Sequence, residues 1–388
     1  MKLFDVYPLF DIEPHHAKGC RVWDKEGKEY LDFYGGHAVI SIGHGHPHFL
    51  DRLQKQLQQL VFYSNSVQNP LQLELAQKLG TLSGCTDYQL FLCNSGAEAN
   101  ENALKLASFY NGRKKIIAFH KGFHGRTAAA VNTTDNAKIQ APITHGFEVD
   151  HFALNEEEGV AESLAQGDVC AVIIEGIQGI GGIHEAKPEF LQFLQKATKA
   201  QDTLLILDEV QSGYGRSGTF FAFQSANIQP DLITVAKGMG NGFPIGGVLI
   251  GPHLEASYGL LGTTFGGNHL ACAAGLAVLE VLEQEQLLTH AKAMGAYLKA
   301  ALEQLPGVRE VRGRGLMMGI EMDFPIKAFR RELIQKAQLF TGASSAPNVI
   351  RLLPPLTIQK ADADLLIQKF SKGLKTYLLT TTQMATTL

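Results

Sequence analysis

LLILDEVQSGYGRSG (residues 204–218) and DLITVAKGMGNGFPIGG (residues 231–247) decide the fold of this 388-residue chain. Each stretch contains an apolar, β-branched run, which is typical of a buried strand in a parallel sheet. Each run ends in one ionisable residue, Asp208 or Lys237, and then enters a glycine-rich loop. Because ligands bind beyond the carboxyl ends of the strands in open α/β sheets, we expect both side chains to face one cleft.

An acid and an amine in one cleft suit pyridoxal 5′-phosphate. This cofactor needs a lysine for its Schiff base and a carboxylate that keeps its ring nitrogen protonated. A single aspartate at a strand end is common among enzymes, whereas an aspartate and a lysine at two strand ends together point specifically to this cofactor. The sequence therefore predicts a pyridoxal-phosphate enzyme with Lys237 and Asp208 as its catalytic residues.

The other apolar runs predict the α/β class, with a large, doubly wound, mostly parallel sheet. Short strands alternate with helical stretches through the middle of the chain, a hairpin is expected over residues 20–36, and a long helical segment follows Leu270. We expect three segments. Residues 1–45 begin a small α+β domain, residues 46–275 form the large cofactor-binding domain, and residues 276–388 complete the small one.

Several other predicted strands also end in polar or aromatic groups. One strand runs into NSGAE (residues 94–98), where small residues at a helix N-terminus favour phosphate binding. A plain N-cap at Ser95 would explain the same pattern. Another strand runs into a loop with Phe123, whose ring can stack on a flat cofactor, and Arg126. A third delivers Glu175 to the same edge of the sheet.

Composition limits the classes of function. The formal net charge is -4 and no long basic run occurs, which argues against nucleic acid or an anionic membrane as a partner. The five cysteines are scattered without CxxC spacing, as in a cytoplasmic protein with reduced thiols. The tract GHGHPH (residues 43–48) has glycine and proline between its histidines, so we expect no metal site there.

The chain resembles the fold-type I, class III (ω-amino) aminotransferases along nearly its whole length, and in particular the branch that acts on acetylornithine, succinylornithine and ornithine. Eight motifs together carry the resemblance, and they are far more specific than any one of them alone. They are GHGHP (43–47), NSGAEANENALKLA (94–107), AFHKGFHGRT (118–127), EGIQGIGG (175–182), LDEVQSGYGRSG (207–218), VAKGMGNGFPIG (235–246), GTTFGGNHLAC (262–272) and VIRLLPPL (349–356).

The resemblance implies roles for individual residues in this sequence. Lys237 would form the Schiff base, Asp208 would pair with the ring nitrogen, and Gln211 would approach the ring hydroxyl. Arg351 would bind the α-carboxylate of glutamate or 2-oxoglutarate. Phosphate contacts would come from Ser95, Gly96 and Ala97 with Thr264 of the other subunit, ring packing from Phe123 and Val210, and the remaining substrate contacts from Arg126, Tyr7, His37 and Glu175.

The implied reaction transfers the δ-amino group of an N-acylornithine to 2-oxoglutarate in arginine biosynthesis, in a cytoplasmic homodimer with its active sites at the subunit interface. The acyl group, acetyl or succinyl, stays open. Other ω-amine donors, such as ornithine or 4-aminobutyrate, and an aminomutase on the same scaffold are alternatives. A non-catalytic binding or regulatory protein is disfavoured because Asp208 and Lys237 are both present.

One departure from the family concerns the amine donor. The family usually has glutamate where this chain has Ile180, and proline where it has Gly176. In relatives that glutamate pairs with the α-carboxylate arginine while an ω-amine is bound. Here that pairing cannot form through the side chain of residue 180, so we expect Arg351 to stay open to carboxylates in both half-reactions.

Overall fold

A seven-stranded sheet forms the centre of the computed structural model, which describes the backbone of residues 1–386 and the side chains of residues 1–380. Six of its strands share one direction, and the remaining strand is antiparallel to both of its neighbours. The large, mostly parallel sheet is therefore confirmed. In spatial order the strands are β4 (Gln89–Cys93), β12 (Gly246–Ile250), β11 (Leu232–Val235), β10 (Leu204–Asp208), β7 (Val169–Ile174), β5 (Lys115–Phe119) and β6 (Val149–Phe152).

Smaller sheets flank the central one. The predicted hairpin is present, and its second strand pairs in parallel with a strand from the C-terminal part of the chain, Leu339 opposite Leu31. The first four-stranded sheet contains β1 (Pro14–Lys18), β2 (Arg21–Asp24), β3 (Glu29–Asp32) and β15 (Leu339–Phe340). The second contains β13 (Val308–Arg314), β14 (Met317–Met322), β17 (Val349–Leu352) and β16 (Gly342–Ala343), and a two-stranded ribbon joins β8 (Ile177–Gln178) to β9 (His184–Glu185).

Helices cover the faces of the central sheet and the outer side of the smaller ones. They are α1 (Gly35–Ala38), α2 (Pro47–Gln59), α3 (Pro70–Ser83), α4 (Gly96–Asn111), α5 (Ala128–Asn132), α6 (Glu157–Ala165), α7 (Pro188–Ala200), α8 (His269–Gln284), α9 (Leu287–Leu302), α10 (Lys327–Gln335) and α11 (Lys360–Thr386). None of these described helices is long and apolar enough to cross a membrane.

The prediction of one long helical segment after Leu270 was wrong. The chain breaks between α8 and α9, where Gln286 adopts a left-handed backbone with φ 50°. Glutamate and glutamine are good helix formers, so local propensity gave no sign of this break. Helix α8 is buried on nearly every face against α2 and α3, and it can therefore be apolar throughout. The predicted domain boundaries after residues 45 and 275 stay predictions.

Candidate active site

A cavity of about 430 Å³ lies at the carboxyl ends of the central strands. Side chains from five strand ends, β4, β5, β7, β10 and β11, converge on it, which explains why residues far apart in sequence meet there. Ten of the predicted site residues line it: Ser95, Gly96, Ala97, Phe123, Arg126, Glu175, Asp208, Val210, Gln211 and Lys237.

Asp208 ends β10 and is almost fully buried. Its Oδ2 accepts hydrogen bonds from Nδ2 of Asn100 and Nδ1 of His124, both at 2.8 Å. Its Oδ1 accepts one from the backbone N–H of Val210 at 3.0 Å. These donors hold the carboxylate in one orientation at the cavity wall.

Sequence reasoning missed the two side chains that orient Asp208. Asn100 lies one turn into α4 and accepts from the Thr234 hydroxyl at 2.6 Å, while its amide also donates to the His124 carbonyl. His124 directly follows Phe123 and is 3% exposed. The signal available in the sequence was a histidine directly after the expected stacking ring. A histidine that becomes buried at such a place needs a hydrogen-bond partner.

Lys237 follows β11 and faces the same cavity. Its backbone is left-handed with φ 46°, a conformation that costs free energy for a residue with a side chain and persists only where the surrounding structure holds it. Burial lowers the pKa of its amine, although Asp208 and Glu175 favour the charged form. Its Nζ makes no hydrogen bond or ion pair with the described residues. The amine is thus free to react.

The loop after β4 opens directly into α4. The Ser95 hydroxyl caps the helix by accepting from the N–H of Glu98 at 3.2 Å, so the N-cap is present. The N–H groups of Gly96 and Ala97 have no helical acceptor, and both residues line the cavity, as an anion site requires. A Cβ at Gly96 would come within 2.6 Å of the Val210 side chain, so glycine is needed where this loop packs against β10.

Glu175 links two loops at the cavity. Its Oε1 accepts from the N–H of Phe123 at 2.9 Å and its Oε2 from the N–H of Gly179 at 2.8 Å. Burial, and then repulsion from Asp208, raise the pKa of this carboxyl. Glu175 therefore fixes the position of the Phe123 ring and of the loop that carries Ile180.

Arg351 lies behind the cavity and reaches it through Gln211. The arginine is 2% exposed, its Nε donates to the Ala343 carbonyl at 2.6 Å, and its Nη1 donates to Oε1 of Gln211 at 3.1 Å. It has no ion pair among the described residues. Ile180 lines the cavity instead of an acid. The guanidinium is consequently a buried cation without a carboxylate partner.

Besides Arg351, three further predicted residues do not line the cavity of this chain. His37 lies in a left-handed turn, hydrogen-bonds the Tyr34 hydroxyl, and has its pKa lowered to about 4 by burial and by Arg351. Tyr7 is 73% exposed, and Thr264 is exposed on a surface loop. Their roles stay predictions.

The family is identified by comparison with known proteins. The model of the family "Aminotransferase class-III" matches residues 6–374, nearly the whole chain. The chain is a class-III aminotransferase. Enzymes of this family depend on pyridoxal phosphate, so the expected fold, cofactor and type of reaction are confirmed.

Individual proteins that are similar to this chain are aminotransferases as well. The chain is 43% identical to the acetylornithine aminotransferase of Bacillus subtilis (strain 168), over 96% of this chain and 97% of the relative. It is 41% identical to the acetylornithine aminotransferase of Aquifex aeolicus, with 93% and 96% covered.

Solved structures match over similar lengths. The ornithine aminotransferase of Toxoplasma gondii ME49 superimposes with a TM-score of 0.90 at 27% identity, covering 97% of this chain and 93% of that one. The N-acetylornithine aminotransferase of Stenotrophomonas maltophilia K279a gives a TM-score of 0.81 at 31% identity, with 96% and 98% covered.

The cavity of the aminotransferase fits pyridoxal phosphate. An open helix N-terminus suits the phosphate, the half-buried ring of Phe123 offers a flat surface, and the carboxylate of Asp208 suits a protonated ring nitrogen. The unpartnered amine of Lys237 lies in the same cavity. The donor set therefore matches each part of the cofactor.

Proposed function

We propose that the enzyme transfers the δ-amino group of an N-acylornithine to 2-oxoglutarate, giving the N-acylglutamate semialdehyde and glutamate in arginine biosynthesis. One observation carries the proposal: an unpartnered lysine and a buried aspartate share a cavity next to an arginine that has no acid partner. Similarity to enzymes named acetylornithine aminotransferase, 43% identical in one case, supports this donor class.

The chain's own residues supply binding and proton transfer. Bound in the cavity, pyridoxal phosphate supplies the carbon that receives the amino group and a ring that takes up electrons from the broken C–H bond. Nζ of Lys237 would hold the cofactor and would then, as a free amine of lowered pKa, take the proton from the substrate carbon. Asp208, oriented by His124 and Asn100, would supply the negative charge that keeps the ring nitrogen protonated.

Guanidinium groups select the carboxylates. Arg351 binds the α-carboxylate of glutamate and 2-oxoglutarate, since a planar fork of N–H donors suits a carboxylate better than an ammonium group does. Arg126, exposed at the cavity rim, binds the distal end of the substrate together with Tyr7 and His37. A site that hydrogen-bonds an acyl amide rejects donors that lack this group, because its polar atoms are left unpaired.

The test of this proposal is a donor panel with 2-oxoglutarate, in which glutamate formation is measured from acetylornithine, succinylornithine, ornithine and 4-aminobutyrate. An N-acylated ornithine should be used best. Equal rates with free ornithine or 4-aminobutyrate would favour another ω-aminotransferase. Product formation without any 2-oxoglutarate would favour an aminomutase.

We propose further that the enzyme is a homodimer with active sites at the subunit interface. The segment that follows α2 and the loop before α8 together expose an apolar surface, where the Phe62 and Phe265 rings lie 5.3 Å apart. Thr264 lies within this surface, where it could reach the phosphate of a second copy. Other exposed members are Leu60, Val61, Tyr63, Val67 and Leu73.

Light scattering tests the dimer directly. Phe62→Asp combined with Phe265→Asp should yield monomers that bind the cofactor weakly, whereas the matched pair Phe109→Asp and Tyr110→Asp, exposed on α4, should leave the dimer unchanged. Monomers at assay concentration in the unmodified protein would contradict the proposal.

A cytoplasmic location is supported by five cysteines that are all free and buried.

A further inference from the structure

Two segments of the chain meet at the turn that carries Lys237. Residues of the loop 236–245, which contains this turn, line the cavity together with Val39 from the N-terminal part of the chain. Four hydrogen bonds join residues 238–241 of the loop to residues 41–43. Their partners are between 197 and 200 positions apart in the sequence, so the fold and not the local sequence brings them together.

Asn241 makes three of these four hydrogen bonds. Its Oδ1 accepts from the N–H groups of Ser41 at 2.9 Å and Ile42 at 3.0 Å, and its Nδ2 donates to the Gly43 carbonyl at 3.0 Å. The residue is 6% exposed and has a left-handed backbone with φ 45°, which asparagine tolerates better than most residues do. Among the described residues, its side chain hydrogen-bonds to residues 41–43 alone.

Ser41 makes the fourth hydrogen bond, to the residue that follows Lys237. Its hydroxyl donates to the Gly238 carbonyl at 2.7 Å, and a Cβ at Gly238 would lie 3.4 Å from Cβ of Ser41, so the two residues are packed against each other. Ser41 is also fixed by the C-terminal part of the chain, because its carbonyl accepts from the N–H of Leu356 at 2.7 Å. We call this pair, Ser41 and Asn241, the clasp.

The clasp explains how an unfavourable backbone conformation persists at Lys237. The lysine has φ 46° and begins the short turn Lys237–Met239. A residue with a side chain leaves such a conformation unless the surrounding structure holds it. The lysine side chain does not hold it, since Nζ has no partner among the described residues. The clasp bonds the carbonyl one residue after Lys237 and the side chain four residues after it, and thus fixes the turn from which the amine extends.

We infer that Ser41 and Asn241 are positioning residues for the transfer reaction, and that they act through the turn to hold the amine of Lys237 within reach of the cofactor and of the substrate carbon. This inference rests on the proposed function and on the role of Lys237 in it. Neither residue of the clasp lines the cavity. Position matters for a group that transfers a proton, because a displacement of about 1 Å can cost about 100-fold in rate.

The first experiment follows the half-reaction of the holoenzyme with glutamate by stopped flow. Asn241→Gly keeps the left-handed backbone accessible and removes three hydrogen bonds. It should lower the maximal rate by about 100-fold and change the apparent Kd of glutamate by less than about threefold, since Arg351 is unchanged. Ser41→Ala, which removes one hydrogen bond, should lower the maximal rate by about two- to tenfold.

The matched control is Thr357→Val. It removes a hydrogen bond to the same segment, from the Thr357 hydroxyl to the Ile42 carbonyl at 3.4 Å, and leaves the clasp intact. Its maximal rate should stay within about twofold of normal. A weaker apparent Kd with an unchanged maximal rate in Asn241→Gly would overturn the inference, and so would an equal loss of rate in Thr357→Val.

A pH titration of the cofactor absorption, without substrate, gives a second measurement that does not depend on activity. Burial lowers the pKa of the Lys237 amine, while Asp208 and Glu175 favour its charged form and Arg351 disfavours it. Without the clasp the turn loosens and water reaches the nitrogen, so the midpoint of the titration should rise by at least about 0.5 pH units in Asn241→Gly. Ser41→Ala should shift it in the same direction and the control should not. Unchanged midpoints in both clasp variants would overturn the inference.

Borohydride labelling separates failure of this inference from failure of the proposed function. Label on Lys237, together with normal rates and midpoints in Asn241→Gly and Ser41→Ala, would refute the clasp alone. Label on another lysine of the unmodified enzyme, or no transfer of the amino group from glutamate, would refute the proposed function itself.

Discussion

Nδ1 of His124 lies 2.8 Å from Oδ2 of Asp208, and both side chains are almost fully buried. A carboxylate can only accept, so Nδ1 carries the hydrogen and donates it to Asp208. Asn100, on helix α4, donates from its Nδ2 to the same oxygen. These two hydrogen bonds to one oxygen fix the orientation of the Asp208 carboxylate. They therefore fix the position of its negative charge in the cavity.

Asp208→Asn should slow the chemical step strongly. The substitution keeps the shape of the side chain but removes the charge that favours a protonated ring nitrogen, and it places an amide opposite two donors. We expect a loss of about 3 kcal/mol, or about 100-fold, in the rate of C–H cleavage, as for removal of one preorganised electrostatic contact. Single-turnover kinetics with a deuterated donor measure it.

The graded control for Asp208 is His124→Leu. This variant keeps the charge and removes one donor, so its rate should fall less than that of Asp208→Asn. Near-normal single-turnover rates in Asp208→Asn would show that this carboxylate has a different role.

Lys237→Ala should abolish turnover while keeping part of the cofactor affinity. The proposed phosphate site at the start of α4 is left intact, but both proposed roles of Lys237, covalent attachment and proton transfer, are removed, so kcat should fall by at least about 1,000-fold. In the unmodified enzyme, borohydride should fix the cofactor on the peptide that contains Lys237, as mass spectrometry can show.

The exposed Lys138 provides a control for the lysine assignment. Lys138→Ala should change neither the labelling nor kcat. Label on any other lysine after borohydride treatment would refute the assignment of Lys237.

The sequence predicted the part of the site that local patterns encode. Apolar runs that end in Asp208 and Lys237 indicate strands, and parallel strands deliver their carboxyl ends to one edge, so convergence followed from topology alone. The N-cap at Ser95 was likewise visible as a small polar residue before a helical pattern. Glu209, the residue after Asp208, supports a neighbouring loop instead of the cavity, since it accepts from the N–H groups of Ala222 and Phe223 at 3.0 Å.

The remaining contacts depend on distance in three dimensions. His124 and Asp208 are 84 positions apart, and Arg351 and Gln211 are 140 apart, so no periodicity connects them. The left-handed turn that carries His37 depends on contacts around Gly35, where a Cβ would lie 2.8 Å from the Leu353 carbonyl.

Glu209→Gln should flatten the dependence of stability on pH. Burial raises the pKa of Glu209 to about 7, although Ala222, Ser212 and Phe223 donate hydrogen bonds to it. The folded state therefore binds this proton more tightly than the unfolded state, whose glutamate pKa is about 4.3. Protonated Glu209 contributes on the order of 3 kcal/mol to the free energy of unfolding below about pH 4.3. This contribution is lost as the pH rises through about 7.

Calorimetry of the holoenzyme at several pH values between about 5 and 8 tests this pH dependence. The unmodified enzyme should lose more in Tm across this window than Glu209→Gln does, whatever the absolute stability of the variant, because glutamine does not titrate. Parallel Tm curves would contradict the raised pKa of Glu209.

We expect the apolar side chain of Ile180 to leave Arg351 open to substrate carboxylates. The side chain lines the cavity, and no acid forms an ion pair with Arg351 among the described residues. A carboxylate introduced at position 180 would enter the cavity that Gln211, the hydrogen-bond partner of Arg351, also lines. Burial lowers the pKa of the Arg351 guanidinium, and pairing with the new carboxylate would relieve the cost of that burial. The new carboxylate would then compete with the α-carboxylate of glutamate.

Ile180→Glu should therefore slow the glutamate half-reaction by about tenfold, the range for loss of one charged contact, while the N-acylornithine half-reaction changes less or improves. Ile180→Gln is the matched control, since it has the same size without the charge and should leave the glutamate rate much closer to normal. Stopped-flow measurement of the change in cofactor absorption with each donor gives both rates. An unchanged glutamate rate in Ile180→Glu would refute the role of Arg351, whereas equal slowing in both variants would attribute the effect to bulk rather than to charge.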